Sequence, residues 1–118
     1  MKKLVILAII LMATTVWADD VSFLWDANNE VNLVGYRIYR SDIQGGPYVK
    51  MGGVACGAGD VACCTYTDLN VPDGTYFWVA TAIDSYDQEG QYSAELTRTL
   101  PYVPIPNPPV QVQGFRFQ

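Results

Sequence analysis

One stretch, Asp73-Gly74-Thr75-Tyr76-Phe77-Trp78-Val79-Ala80-Thr81-Ala82-Ile83-Asp84, constrains this chain more than any other. Pro72-Asp73-Gly74 is a turn signal, and residues 75–83 then run to Asp84 without a glycine, a proline or a charge. Aromatic and β-branched residues dominate, which suits a buried extended segment. The run is too short to cross a membrane, and its Thr and β-branched content disfavours a helix. Alternate residues of a strand face opposite sides. Tyr76, Trp78, Ala80 and Ala82 therefore share one face, and Phe77, Val79, Thr81 and Ile83 share the other. A strand apolar on both faces belongs in the middle of its sheet.

The rest of the chain must supply that sheet, and 118 residues allow one domain. Residues 1–18 read as a secretory signal peptide. Lys2 and Lys3 form a basic start, an apolar run covers residues 4–12, and Val16-Trp17-Ala18 is a small-residue cleavage pattern. The expected mature chain starts at Asp19. Without Lys2 and Lys3 it keeps five basic residues against twelve acidic ones, a net charge of about −7. That balance disfavours nucleic acid and anionic membrane surfaces as partners. Cys56, Cys63 and Cys64 fall in one short window. In an oxidising compartment they predict one disulfide, Cys56 with Cys63 or Cys64, worth about 2–3 kcal/mol for so short a loop. Without a His or a fourth Cys, the cluster is a poor zinc site.

Strands are predicted at residues 21–25, 34–40, 47–51, 63–69, 74–84 and 92–100, with glycine-rich or acidic loops between them. Val21, Phe23 and Trp25 share a face; Val34, Tyr36 and Ile38 point inward, Arg37 and Tyr39 outward, and Tyr66 inward. Residues 52–62 are read as a glycine-rich loop. Short strands at regular spacing, with no sustained helical period after the leader, indicate an all-β antiparallel sandwich.

Trp25, then Gly35-Tyr36-Arg37-Ile38-Tyr39-Arg40, Tyr66-Thr67-Asp68, Gly74-Thr75-Tyr76 through Ala82-Ile83-Asp84, and Tyr92-Ser93 together resemble a fibronectin type III domain of the secreted bacterial kind. The resemblance covers residues 21–100. It implies an immunoglobulin-like sandwich in which Trp25 packs on Tyr36, Tyr76 forms the tyrosine corner, and Ile38, Tyr66 and Trp78 complete the core. The fold carries many unrelated roles, so this resemblance specifies no ligand. Such a domain also opens with a strand before the Trp-bearing one. Cleavage after Ala18 leaves only Asp19 and Asp20 to supply it.

After residue 100, residues 101–109 carry five prolines and form an extended connector. Residues 110–118 then alternate: Val110 and Val112 with Gln, and, after Gly114 as the site of a bulge, Phe115 and Phe117 with polar residues. This strand pattern has nothing after it to pair with. Returning in cis means covering the whole domain length, whereas nine connector residues reach only about 28–30 Å. Donation to the next molecule by β-augmentation needs no such return, and repeated it builds a head-to-tail fibre; the alternatives are a disordered tail, a tail that binds another partner, and one packed in cis in a non-native sense.

Candidate chemistry is sparse. The chain has no His, no phosphate loop and no nucleophile elbow. Asp84, Asp87 and Glu89 admit two readings, a calcium site or acidic turn residues. Cys64 lacks a basic neighbour to activate it, and neither a metal nor a cofactor is expected. Phe77, Val79 and Ile83, with Tyr39, form an apolar outer patch that either meets a partner or lies under the proline-rich connector or a loop. The expectation is an exported, non-enzymatic protein, secreted, at the cell surface or periplasmic. It acts as a structural or adhesive filament subunit contacting itself or another surface protein. The alternative is a monomeric binding module for a carbohydrate or a surface protein.

Overall fold

The computed structural model describes residues 18–103 and 106–118. The expected leader lies outside these residues apart from Ala18, as do Pro104 and Ile105 of the connector. The strands are β1 (Ala18–Leu24), β2 (Leu33–Ser41), β3 (Val49–Ala55), β4 (Thr65–Pro72), β5 (Gly74–Asp84) and β6 (Leu96–Leu100), with a 3-10 turn at Val61–Cys63. They form two antiparallel sheets in a sandwich, β1-β4 and β3-β2-β5-β6. As its pattern required, β5 is central in the larger sheet, between β2 and β6.

Register places the side chains. Tyr36, Ile38 and Arg40 of β2 lie opposite Ala82, Ala80 and Trp78 of β5. They face the sandwich interior, where Val21, Ile38, Val71, Trp78 and Leu100 form one buried cluster with Phe23, Tyr66 and Tyr76 against it. Leu33, Tyr36, Cys56 and Cys64 form a second, and Trp25 packs on both. The Trp25 and Tyr36 rings meet edge-on with centroids 5.1 Å apart. The Asn28 N–H donates to the Tyr36 hydroxyl at 2.7 Å.

At one end the interior holds charge. Asp68 is 5% exposed and accepts from Arg40 Nη1 at 2.9 Å and from Trp78 Nε1 at 3.0 Å. Arg40 also lies 5.0 Å from the centroid of Tyr76, a cation–π contact. Tyr76, expected at a tyrosine corner, is thus held by its ring. The Tyr66 hydroxyl, like that of Tyr36, bonds the backbone, donating to the Met51 carbonyl at 3.1 Å.

Four local expectations change. Val34 is exposed, because an irregularity between Leu33 and Gly35 shifts the alternation of β2. Gly52 and Gly53 belong to β3 rather than to a loop. A Cβ at Gly52 would lie 2.2 Å from the Tyr66 hydroxyl, and one at Gly53 2.5 Å from the Tyr36 carbonyl oxygen. Glycine there reflects close approach, not a turn. The last strand starts at Leu96 instead of residue 92. Residues 110–117 form no strand, and Val110, Val112, Phe115 and Phe117 are exposed.

The disulfide joins Cys56 to Cys63, with Cα atoms 5.6 Å apart, and Cys64 is a buried free thiol. A thiol reagent is therefore expected to label the native mature protein hardly at all, and to label one thiol per chain after unfolding without reductant. Rapid labelling of the native protein would contradict this placement.

Candidate functional site

The outer face of the larger sheet carries the densest set of exposed polar and aromatic groups. In β2, Arg37 and Tyr39 point outward, opposite Thr81 and Val79 of β5. Residues 85–95 then fold along the stretch of β5 that lies beyond its pairing with β6. The Gly90 N–H donates to the Ala82 carbonyl and the Ser93 N–H to the Ala80 carbonyl, both at 2.8 Å. This path brings Glu89, Tyr92 and Glu95 over the sheet.

Glu89 is the hub. It accepts from Thr81 Oγ1 at 2.5 Å, from the Tyr39 hydroxyl, and from Arg37 Nη1 at 3.2 Å. Arg37 also reaches Asp87 at 3.4 Å. The Tyr92 ring meets Tyr39 at 5.6 Å and Tyr48 at 5.1 Å between centroids, both edge-on. Glu95 takes the Tyr48 hydroxyl and the Gly45 N–H. The result is a row of three tyrosines bordered by a guanidinium and two carboxylates.

The expected apolar patch is therefore largely closed. Val79 and Ile83 are only 4% and 7% exposed, and Phe77 is half-buried, while Tyr39 joins the polar network. Thr81, on the same face, is anchored to Glu89, and the loop carrying Glu89 and Tyr92 is what covers these residues. What faces solvent is Tyr92, 54% exposed. Sequence alone gave no role to Arg37, Tyr48, Tyr92 or Glu95 here. The one signal was Tyr39 and Arg37 in outward phase, which left their partners unspecified.

The acidic loop behaves as turn structure. Asp84 Oδ1 accepts the N–H groups of Tyr86 and Gln88 at 2.9 Å, while Asp87 and Glu89 pair with Arg37. Among the described residues, no group of three or more His, Cys, Asp or Glu is placed to hold a metal ion.

Hydrogen bonds from Thr81 and Tyr39, with Arg37 nearby, hold the Glu89 carboxyl below its ordinary value of 4.5. The bond to Glu95 pushes the Tyr48 phenol up to about 12. A lowered carboxyl stabilises the fold above its unfolded-state value, and that contribution is lost as pH falls through the lowered one. Thermal midpoints measured from about pH 7 to about pH 3 are expected to hold and then drop below about pH 4.5. Glu89→Gln should flatten that drop and lower the midpoint at neutral pH.

Among the described residues no helix is long and apolar enough to cross a membrane. No protein-family model matches the chain, and no solved structure matches it. Curated relatives do. The chain is 38% identical over 73 residues to an amylopullulanase of Thermoanaerobacter thermohydrosulfuricus, covering 61% of this chain and 4% of that protein. It is 36% identical over 86 residues to an amylopullulanase of Thermoanaerobacterium saccharolyticum, covering 72% of this chain and 6% of that protein. The chain is a small all-β domain, part of which is similar in sequence to a short stretch of much longer amylopullulanases.

Proposed function

We propose that this chain is an exported, non-enzymatic accessory module of fibronectin type III kind that binds a glucan chain. On this reading residues 1–18 are the signal peptide, 19–100 the sandwich, 101–109 the connector and 110–118 a C-terminal segment that becomes a strand only on pairing with a partner sheet. The observation that carries the proposal is the Tyr39-Tyr48-Tyr92 row beside Arg37, Glu89 and Glu95. Sugar rings offer apolar faces and hydroxyl rims. Tyrosines, with an apolar body and a polar tip, suit the former, and a guanidinium with carboxylates suits the latter.

The relatives' name, amylopullulanase, denotes action on starch-type glucan and pullulan, and the shared stretch is a small part of them. That favours an accessory role over a catalytic one, as do the lack of any His and the burial of Cys64. Native electrophoresis of the mature chain through gels containing pullulan or soluble starch tests the proposal. The chain should be retarded and release no new reducing ends. Tyr92→Ala, at an exposed position, should weaken the retardation roughly three- to tenfold without changing the fold. Equal mobility with and without glucan would sink the reading.

A further inference from the structure

The smaller sheet has only two strands, and among the described residues β1 pairs on one edge alone, with β4. Its other edge faces β6 across a groove. At one end lies a cavity of about 190 Å³ lined by Phe23, Leu24, Trp25, Trp78, Ala94 and Leu96. At the other lies a cavity of about 210 Å³ bordered by Val21, Phe23, Leu96 and Arg98. Leu24 and Leu96, on the two rims, are 84% and 56% exposed. An unpaired strand edge beside an apolar trough is a template for one more strand.

We infer that this groove receives residues 110–117 of a second copy of the chain, running antiparallel to β1. This inference is independent of the glucan-binding face, which lies on the outside of the larger sheet. The occupant is argued from the tail itself. Val110, Val112, Phe115 and Phe117 are 90%, 76%, 94% and 101% exposed. A bulge at Gly114, whose φ is +67°, brings Val110 and Val112 onto one face with Phe115 and Phe117, an apolar face of about the length of β1, which has seven residues. In sequence the tail is a strand; in the single chain it has no sheet to join.

Direction selects a second copy over the same one. Leu24 and Trp25 lie level with Ala94 and Leu96, and Val21 with Arg98, so β1 and β6 run in opposite senses along the groove. An antiparallel strand on β1 must enter beside Trp25 and Ala94. The chain's own tail leaves past Leu100, at the far end. Coming back means first turning the chain round and then spanning about 23 Å of strand, which uses most of the connector's reach of about 28–30 Å and needs a reversal that its prolines oppose. The five prolines of residues 101–109 favour continued extension, which carries the tail outward. A neighbour placed beyond Leu100 meets that tail at the entrance of its own groove. The contact is heterologous, so it propagates as a fibre or closes as a ring.

Sedimentation of the full mature chain provides the test, using two variants at exposed sites. Phe115→Asp with Phe117→Asp disables the tail, and Leu96→Asp disables the groove. The unaltered chain should assemble with concentration, and either variant should weaken assembly about a hundredfold or more. Mixing the two variants should then give a dimer capped at both ends, since one retains a working groove and the other a working tail. An unaltered chain that stays monomeric, assembly that survives either variant, or a mixture that stays monomeric would each overturn the inference.

Discussion

Asp68→Ala is expected to destabilise the domain by about 3–5 kcal/mol, because it leaves a charge without its buried partner. The Asp68 carboxylate is 7% exposed and Arg40 is 21% exposed, at 2.9 Å. The same carboxylate oxygen accepts the buried Trp78 indole N–H at 3.0 Å. Removing it orphans both donors at once. For a domain of this size about 1 kcal/mol moves the midpoint by roughly 4–8 °C, so the melting temperature should fall by at least about 12 °C. Asp68→Asn retains an acceptor for Trp78 and should cost less. Replacing the pair together, Asp68→Leu with Arg40→Met, should recover the part of the loss due to Arg40, since a well-packed apolar pair is often as stable as a buried ionic one, but not the part due to the Trp78 N–H, which stays unpaired. A cost below about 1 kcal/mol for Asp68→Ala would show that the contact is screened by solvent.

Gly35→Ala should be the next most damaging change, although it adds a single methyl group. A Cβ there would lie 2.4 Å from the Val54 carbonyl oxygen of the paired strand. Gly35 pairs with Ala55 on one side and Ile83 on the other, so the backbone cannot retreat without opening a ladder. Overpacking usually costs 1–3 kcal/mol, and a clash with paired backbone belongs at the upper end, about 3 kcal/mol. Gly57→Ala is the control. Nothing lies within 4 Å of its Cβ position, and a change of no more than about 0.5 kcal/mol is expected. Denaturant midpoints for the two variants measure the contrast, and equal midpoints would contradict the packing at Gly35.

The period-2 pattern made the fold legible. It placed Tyr36, Ile38 and Trp78 on interior faces, and those residues are 4%, 2% and 2% exposed. The same pattern carried one step further reaches Arg40, which continues the series of Tyr36 and Ile38 into the interior, where β4 supplies Asp68. A charged residue in an inward phase is a signal for a buried partner, and here it was readable but unread. Val34 was misplaced because one irregular residue reverses a strand's facing. Gly52-Gly53 reads as a loop locally, since the groups that demand glycine, the Tyr66 hydroxyl and the Tyr36 backbone carbonyl, are distant in sequence. The candidate site was least legible. Tyr48, Glu89, Tyr92 and Glu95 lie on loops, and nothing in local periodicity says which face a loop will cover.

That closure changed the functional reading. An open apolar patch of Phe77, Val79 and Ile83 would favour a protein partner, but Glu89 and Tyr92 lie over this face and present tyrosines and charges instead. The surface therefore presents tyrosine rings, a guanidinium and carboxylates, and an apolar groove lies beside β1.

The most direct test of glucan binding is an NMR titration of the mature chain with a linear malto-oligosaccharide, following backbone amides and tyrosine rings. The account predicts saturable shifts confined to Arg37, Tyr39, Tyr48, Glu89, Tyr92 and Glu95, with the β1 groove unaffected. No shifts up to about 10 mM sugar, an affinity weaker than about −3 kcal/mol, would contradict it, as would shifts confined to any other face.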